Sequence, residues 1–142
     1  MSKVSGVSIV AAALTIAASG PSVALTQNKL STIDGMQVVC TGVGSSKSNP
    51  RWTSLPIKLV FANQRGQFTA GEKVVIREGR RSILQTSCNA PWLLLKPAAG
   101  KYQVTATLQD YNHTRRASGS FSTSGKGPQK TVTLDFPMPK TG

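Results

Sequence analysis

The chain has 142 residues, with 17 Lys plus Arg against 5 Asp plus Glu, for a formal charge of +12. Its length favours a single domain, and since charged residues are only 15 % of the chain, the basic excess comes from scarce acids rather than abundant bases. One histidine and two cysteines are too few for a zinc cluster, and Ser, Thr, Gln and Asn on the polar positions suit exposed strand faces better than helices.

Residues 1–24 read as a secretory signal peptide. Lys3 is the positive start, Val7 to Ala18 an apolar run, Gly20-Pro21 a break, and Ser22-Val23-Ala24 the small residues of a cleavage site. The apolar run is short for a membrane span, so cleavage after Ala24 is the expectation and an uncleaved N-terminal anchor the alternative. A mature chain without a transmembrane span, periplasmic or secreted, follows. Residues 25–35 are polar and read as a flexible lead-in.

From Met36 the pattern has period two, which turns one side of each run to a core and the other to water. Met36, Val38 and Cys40 share a face, as do Ile57, Leu59 and Phe61, then Val74 and Ile76, then Leu84, Thr86 and Cys88. The run Lys101–Gln109 is the clearest: Tyr102, Val104, Ala106 and Leu108 alternate with polar residues. Ala117–Thr123 continues with Phe121 inward, and Thr131–Phe136 closes with Val132, Leu134 and Phe136 inward. Turn residues punctuate these runs at 42–50, 64–67, 70–71, 78–80, 97–100 and 124–128. No window repeats at three and four, so no substantial helix is expected. About seven short strands with frequent turns predict an all-β fold, a single antiparallel β-sandwich over residues 36–136 followed by a tail, 137–142.

Export places Cys40 and Cys88 in an oxidising compartment, where an even count favours a disulfide; two buried free thiols are the alternative. The stretch Leu95-Lys96-Pro97-Ala98-Ala99-Gly100-Lys101-Tyr102-Gln103-Val104-Thr105-Ala106 resembles the signature of carboxypeptidase regulatory-like domains. Val132–Phe136 resembles their closing strand, and Thr41–Gly44, Leu59–Ala62 and Ala90–Leu94 resemble small exported proteobacterial proteins with that domain. The resemblance spans roughly residues 36–136 and implies a transthyretin-like sandwich. It carries over no catalytic residue, and one extra residue before Gly100 departs from its pattern. Read physically, Pro97 ends one strand, Gly100 permits the reversal and Tyr102 anchors the next strand in the core.

Catalysis has little to stand on. His113 is the sole base, set in a turn with Asp110, Tyr111 and Asn112, and Glu72 and Glu78 lie among Lys73, Arg77 and Arg80, where exposed ion pairs are expected. The chain is therefore read as a non-enzyme without cofactor or metal. Trp92 sits in an apolar run and reads as core. Trp52 follows Pro50-Arg51 in a polar loop and is either a ring exposed for binding or one packed over the sandwich end.

The basic excess suggests a partner. An exported module of net positive charge attracts envelope polyanions, such as anionic lipid or lipopolysaccharide; nucleic acid is not expected. A basic solubilising surface with no ligand, or an accessory subunit docking on another exported protein through a sheet edge or loop end, are the alternatives. The expected binding surface is a basic end made by Lys47, Arg51 and Trp52, by Arg80 and Arg81, and by Arg115 and Arg116 beside Tyr111. An uninterrupted meander brings these three loops together; a separate strand at Trp92–Leu95 instead sends Arg115 and Arg116 to the opposite end.

Overall fold

The computed structural model describes residues 23–110 and 113–137. Residues 1–22, which hold most of the expected signal peptide, lie outside the described residues, as do Tyr111, Asn112 and the tail from 138 on.

The described chain is all-β. Its strands are β1 (Val23–Ala24), β2 (Ser31–Ile33), β3 (Met36–Thr41), β4 (Ile57–Asn63), β5 (Glu72–Glu78), β6 (Arg81–Cys88), β7 (Trp92–Lys96), β8 (Gly100–Asp110), β9 (His113–Thr123) and β10 (Lys130–Phe136). They form two five-stranded sheets. Sheet I has the order β1-β6-β5-β8-β9 and sheet II the order β10-β4-β7-β3-β2. The two sheets pack face to face as a β-sandwich. Helical structure among the described residues is limited to 3-10 turns at Gly44–Ser48 and Pro50–Ser54, and no helix is long and apolar enough to cross a membrane.

Alternation decides which side chains fill the core. Val38, Cys40, Leu59, Phe61, Val74, Ile76, Leu93, Leu95, Val104, Leu134 and Phe136 are all buried between the sheets. Tyr102 is a core anchor: its ring stacks on Phe121 at 5.3 Å and its hydroxyl donates to the Ala98 carbonyl at 2.6 Å. At Gly100 the backbone runs close to the Glu78 side chain: a Cβ there would stand 2.6 Å from its carboxylate oxygen, so a larger residue would make that carboxylate move aside.

The pairing is mixed rather than wholly antiparallel. β10 runs parallel to β4 and β1 parallel to β6. Three connections, β2–β3, β5–β6 and β8–β9, are antiparallel hairpins, whereas the last strand returns beside β4, far back in the sequence, and Leu134 and Phe136 close the core there. The stretch 25–35, expected as a lead-in, carries β2, which pairs with β3 across the Asp34-Gly35 turn. Leu25 and Ile33 pack on the core.

Cys40 of β3 and Cys88 of β6 form a disulfide, with Cα atoms 5.6 Å apart. It ties sheet II to sheet I across the buried layer, and both residues are fully buried. Two departures from simple alternation stand beside it. Val39 is buried although it faces outward, because the 42–56 connection crosses the outer face of sheet II and lays Trp52 and Leu55 over Val39 and Leu94. Trp52 is thereby buried against the sheet face and not displayed. Trp92 is not in the inner core either. Leu93 and Leu95 take the inward positions, and Trp92 lies half-buried on the outer face, with the Lys58 ammonium 3.5 Å from its ring centroid. Burial lowers the Lys58 pKa from its ordinary value.

Candidate functional site

The register fixes where each basic residue sits. Glu78 and Arg81 pair at one end of sheet I, close to Arg77–Gln103 and Gly100–Thr123. Arg115 and Arg116 pair with Leu108 and Thr107, and Thr107 pairs with Lys73, at the other end. The expected convergence of three loops is therefore corrected. Trp92–Lys96 is a strand of its own, inserted between β3 and β4, so the return count changes and Arg80/Arg81 and Arg115/Arg116 lie at opposite ends. Arg51 belongs to neither group: it sits in the 3-10 turn on the outer face of sheet II, its guanidinium 5.6 Å from the Trp52 ring. The backbone of Lys47 lies in the preceding turn, and its side chain lies outside the described residues. Arg81 is held by Glu78 at 3.3 Å, an exposed pair of small energetic value.

Glu72 is a second correction. It is fully buried, where an exposed ion pair was expected. Its parity is that of Val74 and Ile76, so it points into the sandwich opposite Cys88. Oε1 accepts from the Thr69 hydroxyl at 2.9 Å, and Oε2 has no hydrogen-bond partner. Burial pushes its pKa up to about 8, against the opposing pull of the Thr69 hydrogen bond and of its own backbone amide. It is held as a neutral acid at neutral pH.

What the register does bring together is the outer face of sheet I. On β5 the outward positions are Lys73, Val75 and Arg77. Across from them on β8 stand Thr107, Thr105 and Gln103, and beyond these on β9 Arg116, Ser118 and Ser120. Lys101 and Ser122 add a further row. Lys73, Arg77, Lys101 and Arg116 are all exposed. From strand geometry, Lys73 and Arg116 are about 10 Å apart at the backbone, Arg77 and Lys101 about 8 Å, and Lys73 and Arg77 about 14 Å. Among the described side chains none on this face is acidic: Glu72 and Glu78 share the opposite parity of β5, Asp34 lies in the β2–β3 turn and Asp135 on β10.

At the end of this face near Lys101 the surface is concave. A depression of about 580 Å³ is bordered by Lys101, Gln103, Ser120, Ser122 and Lys130. Lys130 reaches it from β10 and donates to the Ser122 carbonyl at 2.8 Å. Two ammonium groups, an amide and two hydroxyls around an open depression form a donor-rich surface for phosphate or carboxylate oxygens.

Of the residues named from sequence, Arg116 alone belongs to this face. Lys73, Arg77 and Lys101 were legible as outward positions of their own strands. Their grouping was not, because β5 pairs with β8 although two strands intervene in sequence, β6 on the other side of β5 in sheet I and β7 in sheet II. His113 is exposed at the start of β9, where it pairs in register with Asp110, whose side chain lies outside the described residues. Comparison with family models, with curated proteins and with solved structures returns no match for this chain.

Proposed function

We propose that the protein is an exported, non-catalytic β-sandwich module of the bacterial envelope that binds anionic polymers across the outer face of sheet I. The observation that carries this reading is the segregation of charge: Lys73, Arg77, Lys101 and Arg116 share one sheet face on which no described side chain is acidic. A flat face of this kind offers cations at spacings of about 8–14 Å, with hydroxyl and amide donors between them. That suits an extended chain of phosphates or carboxylates better than one small anion. A net charge of +12 adds long-range attraction that brings such a polymer to the face and loses strength with salt.

The test uses a soluble polyphosphate as probe, titrated at several salt concentrations. Lys73→Ser/Arg77→Ser removes two charges from the face; Lys29→Ser/Lys96→Ser removes two exposed charges elsewhere. The expected result is a loss of about tenfold or more in affinity and a shallower salt slope for the first variant only. Equal losses in both variants mean diffuse attraction with no binding face, and the proposal fails.

A further inference from the structure

Among the described residues three large apolar side chains are exposed: Val23, Val43 at 47 % and Phe68 at 64 %. Val43 and Phe68 belong to the same end of the sandwich, the end that holds the disulfide. Thr41 pairs with Trp92 and Val60 pairs with Trp92, so the residues just beyond β3 and the residues late in β4 flank the same segment at the start of β7. The Phe61 amide donates to the Pro91 carbonyl at 2.8 Å, and Phe68 forms a bridge with Ala62.

Phe68 is not on a loose loop. The Asn63 amide donates to the Gln67 carbonyl at 2.8 Å and the Thr69 amide to the Phe61 carbonyl at 3.1 Å, so backbone bonds flank Phe68 on both sides. The Asn63 side chain adds bonds to the Arg65 amide, the Gln67 amide and the Gln67 side chain. The ring is thus presented outward by a locked backbone, and its ordering cost is already met by the fold. Cations surround this end. Arg65 is exposed in the same turn, and Lys73 and Arg116 form the row of the sheet I face nearest it. Among the described side chains at this end, Asp135 on β10 is the exposed acid, paired with Ala62, while Glu72 beneath is neutral.

The geometry points to docking of this end on an anionic lipid bilayer, with Phe68 and Val43 entering the interface and Arg65, Lys73 and Arg116 meeting headgroup phosphates. Rigidly displayed apolar side chains ringed by cations are complementary to a surface that is negative outside and apolar beneath. A soluble polyanion has no use for the phenyl ring. The inference takes its charges from the anionic-partner reading and adds the lipid to it.

The experiment is co-sedimentation of the full chain with vesicles of phosphatidylcholine and phosphatidylglycerol and with pure phosphatidylcholine vesicles, beside titration with soluble polyphosphate. The wild type is expected on the mixed vesicles only. Phe68→Ser should weaken that binding about tenfold, Phe68→Leu should largely keep it, and neither should alter polyphosphate binding. Because Phe68 is exposed, the substitutions leave the fold intact, and the N-terminal residues are common to all variants. Equal vesicle binding by the wild type and Phe68→Ser overturns the inference, and so does a wild type that binds both vesicle types alike. Polyphosphate binding without vesicle binding overturns the lipid inference and leaves the polymer reading standing; failure of both probes removes both.

Discussion

Glu72 is the residue at which the fold carries a titration. Its carboxyl is fully buried, opposite the disulfide, with one oxygen bonded to Thr69 and one unpaired. Ionisation there places an uncompensated charge in the core. The folded chain therefore holds this proton until about pH 8, while the unfolded chain releases it near the ordinary value of 4.5. Between those values the native state binds more protons than the unfolded state, so stability falls as pH rises. The contribution is fully present below pH 4.5 and is lost by pH 8, amounting to on the order of 5 kcal/mol. Glu72→Gln keeps an acceptor for Thr69 and cannot ionise. Chemical denaturation at a series of pH values is expected to show the wild type weakening across this window while Glu72→Gln stays level. Parallel curves would exclude Glu72 as the source.

At the scale of elements, the disulfide is the bond whose loss is most readable. It joins β3 to β6, and so one sheet to the other, across a sequence separation of 48. A closed loop of that length stabilises by about 4 kcal/mol in the chain-entropy account. Cys40→Ala/Cys88→Ala is expected to lower unfolding stability by about that amount, measured by denaturant midpoint, and a loss below about 1 kcal/mol would show that the cross-link does not constrain the unfolded chain. The cysteine pairing was legible because the count and the inferred export leave one intramolecular partner. The strands were legible because alternation is a local property: Tyr102, Val104, Ala106 and Leu108 announce their face without any partner. The same rule places Glu72 inward with Val74 and Ile76, where the expectation of an exposed charge overrode the parity. What local pattern does not carry is which strands become neighbours. The parallel pairing of β10 with β4, the insertion of β7 between β4 and β3, and the cover of Trp52 over Val39 are long-range choices. The dispersal of the expected basic end and the gathering of Lys73, Arg77, Lys101 and Arg116 both follow from them.

Over the whole molecule the positive charges have few negative partners. Of the acids, Glu72 is buried as a neutral group, Glu78 holds Arg81 in an exposed pair, and the remainder cannot balance a formal charge of +12. The folded chain concentrates this charge in a smaller volume than the unfolded chain, so self-repulsion opposes folding. Salt relieves it: the Debye length falls from about 30 Å at ~0.01 M to about 10 Å at ~0.1 M, which is comparable to the cation spacing on the sheet I face. The melting temperature is therefore expected to rise with sodium chloride over this range, since the one described ion pair is exposed and of small worth in any case. A bound polyanion acts differently. It stabilises the native state by mass action, in proportion to the logarithm of its concentration over its dissociation constant. At constant ionic strength, polyphosphate should raise the melting temperature further, and Lys73→Ser/Arg77→Ser should lose that extra rise while keeping the chloride effect. If chloride and polyphosphate act equally at matched ionic strength in both proteins, the charge on the face is only screened, and the cations of sheet I make no site.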